Sequence, residues 1–150
     1  MRLTIMKKLF VMLFVVLGLY AQSADEWEMI SATGVSVTYI EKKDLTIYNG
    51  TDVYLWVMEK HNPPIVIESV NGRIYKTKTY YLFNTELQRY SLLQIIYYDE
   101  NDNVLKSYDY NRNTDIPSYK YNFPVIRGTT EEVILAKILE KTGTNKKEVE

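Results

Sequence analysis

Apolar and polar residues alternate with a period of two over most of this chain, the signature of strands that bury one face. Val35, Val37 and Tyr39 alternate with Ser36 and Thr38, and Val53, Leu55 and Val57 with Tyr54, Trp56 and Met58. Trp27 to Ile30 reads as a short first strand, and Thr33-Gly34 and Asn49-Gly50 supply turn chemistry. His61-Asn62-Pro63-Pro64 is expected to end the third strand, because proline cannot donate to a ladder. Asn71-Gly72 then predicts a tight hairpin between Ile65–Val70 and a strand starting near Arg73. Two long strands, Ile74 to Phe83 and Arg89 to Tyr98, lead through the polar run Asp99–Asn103 into Val104 to Tyr110. Connections this short join antiparallel neighbours.

After Asp109 an Asn- and Tyr-rich stretch with Pro117 and Pro124 reads as an irregular return to the one convincing helix. Its start is marked by Gly128, then Thr129 and Glu132 at the spacing of a capping box. Ile134, Leu135, Ile138 and Leu139 form one apolar stripe at helical spacing, and Gly143 stops it. The expected fold is therefore α+β: about six antiparallel strands with a C-terminal helix on one face. A helix of about 13 residues spans about 20 Å. It covers one face only, whereas both faces of the central strands carry apolar or aromatic groups. Leu93, Ile95 and Tyr97 are expected on one side, Ile96 and Tyr98 on the other. The second face is left for a partner or a second copy, unless the sheet curls over itself or its tyrosines tolerate half exposure, as an amphipathic ring can.

The N-terminus follows a different pattern. Arg2, Lys7 and Lys8 precede an apolar run from Leu9 to Tyr20, and Ala21 and Ser23 place small residues for cleavage after Ser23. The run is about 12 residues where a spanning helix needs about 20. The expected organisation is a signal peptide over 1–23, a domain over 24–142 and a disordered tail over 143–150. Removing the signal takes three basic residues from the 18 present and leaves all 19 acidic ones. Such a domain is a poor nucleic-acid binder, and beyond residue 23 the only adjacent basic pairs are Lys42-Lys43 and Lys146-Lys147. The chain contains no cysteine, so neither a disulfide nor a lipid anchor on cysteine is available.

Catalytic chemistry finds little support. His61 is the single histidine, reads as a solvated loop residue beside two prolines, and thiol nucleophiles are impossible. Asp99, Asn101 and Asn103 match the opening of a calcium loop, but Val104 and Tyr110 stand where a glycine and a bidentate glutamate are required. A polar hairpin tip is the better reading. The expectation is a non-enzymatic protein without cofactor or metal. Tyr97, Tyr98, Tyr108 and Tyr110 flank that tip and are the candidate partner-binding residues, because aromatic rings give contact area at low entropy cost.

Taken together, the residues resemble the surface-adhesin protein E family of exported bacterial domains. The likeness runs from Trp27 to about Leu139: Trp27 opening a strand, Tyr39-Ile40 followed by an acid, Val53 to Val57, Phe83-Asn84, Arg89-Tyr90, Tyr97-Tyr98, and Gly128-Thr129 before the helix. The resemblance implies an antiparallel sheet with the helix on its concave face, a tendency to dimerise, and binding of host matrix or serum proteins such as vitronectin, laminin and plasminogen. Family members often carry a cysteine after the position of Asn84 and another in the helix; Thr85 stands near the first and nothing replaces the second. The implied function is adhesion at the cell surface. The alternative is a periplasmic accessory protein that self-associates or binds an envelope partner through its second face.

Overall fold

The computed structural model describes residues 26–43, 45, 47–48, 50–110 and 120–143, so the expected signal peptide, Pro117 and the tail beyond 143 lie outside the described residues. Among the described residues the strands are β1 (Trp27–Ala32), β2 (Ser36–Glu41), β3 (Ile47–Tyr48), β4 (Asp52–Ile65), β5 (Ile74–Asn84), β6 (Arg89–Tyr98), β7 (Val104–Asp109) and β8 (Phe123–Pro124), and the helix α1 (Thr130–Thr142) follows them. The sheet order is β1-β2-β4-β5-β6-β7, with β3 against β4 and β8 against β6, and every pairing is antiparallel. The α+β arrangement expected from the alternation is the one observed.

The helix stripe explains the core. Ile134, Leu135 and Ile138 pack on Val53, Leu55 and Val57 of β4, with Ile40, Tyr81 and Phe83 completing the cluster. Burying side chains of this size is worth about 1.5 to 3 kcal/mol each before entropy is counted. Packing thus holds the helix to the sheet without a disulfide. Two ion pairs add to it at the sheet edge, where Lys137 and Lys141 reach Glu28 of β1 at 2.9 and 2.7 Å.

Several local readings are corrected. β4 does not stop at His61 but continues through both prolines to Ile65, with a cis bond between Asn62 and Pro63. The β4–β5 ladder is shifted between Lys60 and Ile65, so the prolines stand where no donor is required. Asn62 still donates its N–H to the Val35 carbonyl at 2.9 Å. The strand expected over Ile65–Val70 does not form, since Ile65 ends β4; β4 and β5 are joined by residues 66–73, and Gly72, at φ 123°, lies against Leu105. An added Cβ there would meet Leu105 at 3.2 Å, so packing as well as turn geometry requires glycine.

The capping box is half made. Thr129 donates its hydroxyl to the Ile126 carbonyl and makes no cap bond to the helix, whereas Glu132 accepts the Gly128 N–H at 2.7 Å. The glutamate reaches back one residue further than the box requires, and Thr129 is spent on closing the preceding turn. Gly143 ends α1 in the left-handed conformation as expected, at φ 71°. On β6 an irregularity in the pairing with β5 makes Leu92 the partner of Tyr81, so Leu92 packs on the core and the expected unbroken alternation through Leu93, Ile95 and Tyr97 is interrupted before Leu93.

Candidate functional site

Period-two geometry sends Asp52, Tyr54, Trp56, Met58 and Lys60 of β4 to the face away from the helix. One end of this face is closed by the chain itself. Asp52, 2% exposed, accepts hydrogen bonds from Lys120 Nζ at 2.7 Å, the Tyr121 hydroxyl at 2.6 Å and Asn84 Nδ2 at 2.9 Å. Arg89 donates to the carbonyls of Tyr121 and Asn122, and the buried Ser91 hydroxyl donates to the Lys120 carbonyl. Burial alone would raise the Asp52 carboxyl; the donors outweigh it and hold the group below the usual carboxylate range. The final part of the return is thus a strap pinned by one buried charge.

The other end of the face is built differently. Lys60 and Lys76 stand opposite each other in the β4–β5 ladder, Met58 opposes Lys78, and Tyr98 of β6 opposes Lys76. Lys60, Lys76, Lys78, Met58, His61 and Tyr75, with Trp27 from β1, line a cleft of about 620 Å³ bounded by Glu26 and by Asp99, Glu100 and Asp102 of the β6–β7 turn. The Lys78 ammonium lies 5.1 Å from the Trp27 ring centroid and 5.9 Å from that of Tyr98. Lys76 is 4.3 Å from the Tyr98 ring and is paired with Asp102; Lys60 is 5.5 Å from the Tyr39 ring.

The turn bounding the cleft is ordered by its own side chain. Asp99 accepts from the N–H groups of Asn101 and Asn103 and from Asn103 Nδ2, at 2.8 to 3.0 Å, which lowers its carboxyl. Those oxygens are engaged in the turn, as a hairpin tip demands. No group of three or more histidine or acidic residues among the described residues is placed to hold a metal ion.

The four candidate tyrosines are divided between the faces. Tyr97, Tyr108 and Tyr110 form one row on the helix side of the β6–β7 edge: Tyr97 meets Tyr108 edge-on at 6.2 Å, and Tyr108 stacks on Tyr110 at 6.3 Å. The Tyr108 hydroxyl bonds Ser69 Oγ at 2.9 Å, tying the 66–73 loop to β7. Tyr98 faces the lysine cleft instead, as alternation requires.

His61 is in a strand rather than a loop and is only partly solvated. It lies half-buried on β4 with Nε2 2.9 Å from the Thr77 hydroxyl, and burial lowers its pKa. Glu59, on the helix side, has one weak donor, the Thr38 hydroxyl at 3.4 Å, and faces Glu131 of α1. Burial first, and the neighbouring carboxylate second, raise its pKa.

Sequence reasoning passed over the lysine cleft. Lys60, Lys76 and Lys78 are not a run along the chain; the β4–β5 register assembles them. The visible signal was Lys76-Thr77-Lys78, two like charges sent by period two to one face.

Among the described residues no helix is long and apolar enough to cross a membrane. No curated protein and no solved structure matches the chain. The family model described as surface-adhesin protein E matches residues 27–138, which span β1 to the last full turn of the helix. The observed sheet and helix agree with what the resemblance led one to expect, and the chain belongs to the surface-adhesin protein E family.

Proposed function

We propose that this protein is an exported, non-enzymatic adhesin that binds host matrix or serum proteins through the tyrosine-bearing β6–β7 edge. Family membership supports the adhesin character and an exported or surface location. The observation that carries the choice of surface is the edge itself. β7 is the terminal strand of the six-strand order, with Tyr97, Tyr108 and Tyr110 on one side of it and Tyr98 on the other. An edge strand offers backbone donors and acceptors to an incoming chain, and flanking rings supply contact area.

Binding of the purified protein to immobilised vitronectin and laminin, together with protease shaving of intact cells, tests this reading. Saturable binding and loss of the protein on shaving are expected. Absence of both would overturn it. A periplasmic protein using the same edge for self-association would instead resist shaving, be released by osmotic shock and scatter light as a dimer.

A further inference from the structure

The lysine cleft is distinct from the tyrosine row, and its chemistry selects a different ligand. Lys76 has Asp102 as a counter-charge, but neither Lys60 nor Lys78 has a carboxylate partner among the described residues. Lys78 is partly buried and sits between two rings. Rings orient an ammonium without neutralising it. The cleft therefore holds two ammonium groups that form no ion pair among the described residues, Lys78 lying against the Trp27 ring, with four carboxylates along its border.

Each part narrows the ligand class. Lysines favour an anionic group, and their close placement on two adjacent strands suits one anion better than an extended row of them. Glu26, Glu100 and Asp102 around the cleft repel a long polyanion that would have to pass over them. The same carboxylates accept hydrogen bonds from hydroxyl groups. Trp27 offers flat apolar surface for a ring, and about 620 Å³ falls within the range of small-molecule clefts.

We propose that this cleft binds a carboxylated sugar residue, its carboxylate held by Lys78 and Lys60, its ring against Trp27, and its hydroxyls on the bordering acids. This site goes beyond the protein-contact reading and does not depend on it.

Titration of the purified protein with sodium glucuronate, followed by the indole N–H resonances of Trp27 and Trp56, tests the proposal, with glucose as the neutral counterpart. Glucuronate should shift the Trp27 signal saturably while glucose does not. Lys78→Gln should weaken the response at least tenfold and Lys78→Arg should preserve most of it. Equal responses to glucose and glucuronate, no saturable shift, or an unchanged affinity in Lys78→Gln would overturn it. Should Lys78→Gln lose the native spectrum, Lys60→Gln carries the same comparison. Glucuronate binding in a protein that ignores vitronectin and laminin would sink the adhesin reading and leave this site standing; the reverse pair of results would do the opposite.

Discussion

Asp52 and Lys78 stand on the same face of the sheet, on neighbouring strands, yet the fold surrounds them in opposite ways. Around Asp52 an ammonium, a phenol and an amide converge, and the return strap closes over them. Around Lys78 only two rings approach, and no described carboxylate does. A buried charge with a full set of partners fixes chain position at little net gain, but removing one partner is expensive. A charge left beside rings keeps its attraction for something outside the fold. The first end of the face is architecture, and the second is available for recognition.

This contrast can be broken most forcefully at Asp52. Asp52→Ala strands Lys120 and the Tyr121 hydroxyl and should cost about 3 to 5 kcal/mol, read as a lowered midpoint in denaturant unfolding. A loss below about 1 kcal/mol would show that the strap is not pinned by this charge.

Acid separates the two carboxylates of β4. The Asp52 pKa is lowered, so its contribution is present above the unfolded carboxylate range near 3.9 and is lost as pH falls through its folded value. The Glu59 pKa is raised, so its contribution is complete below the unfolded value near 4.3 and is lost as pH rises through its folded value. His61, whose pKa is lowered, contributes stability that is lost over the same range as pH falls through about 6.5, so the Glu59 effect is read against Glu59→Gln, in which His61 titrates alike. The thermal midpoint of the natural protein relative to Glu59→Gln should rise on going from neutral to mildly acidic pH, and both midpoints should fall below about pH 4. A difference that does not change with pH would contradict the pairing of these environments.

Gly143→Ala, at φ 71°, should cost about 1 kcal/mol by straining the helix C-cap. It measures how much a local turn weighs against the Asp52 network, and a neutral result would show that α1 ends without needing that conformation. The smallest stability effect is expected at the other end of the face. Lys78→Gln should change unfolding by no more than about 0.5 kcal/mol. A larger loss would mean that Lys78 is structural after all.

Much of the fold was legible because alternation and the helix stripe are local signals. Val53, Leu55 and Val57 announced a buried face, and Ile134, Leu135 and Ile138 the helix that covers it. Glycine stops and the Asp99 turn were legible for the same reason. What escaped depends on register. Pro63 and Pro64 break a ladder in general, and only the shift between Lys60 and Ile65 shows that no donor is lost. Tyr97 and Tyr98 are neighbours in sequence and lie on opposite faces, so a patch drawn along the chain was divided by the sheet. Asp52 and Lys120 are 68 residues apart, and nothing local relates them.

The central claim is that partner proteins dock on the tyrosine-bearing β6–β7 edge of an exported adhesin. Equilibrium binding to immobilised vitronectin and laminin, compared between the natural protein and a variant with Tyr97, Tyr98, Tyr108 and Tyr110 all changed to Ser, tests it most directly. The account predicts saturable binding by the natural protein and at least tenfold weaker binding by a variant that still unfolds cooperatively. Equal binding by both proteins, or none by the natural one, would contradict it.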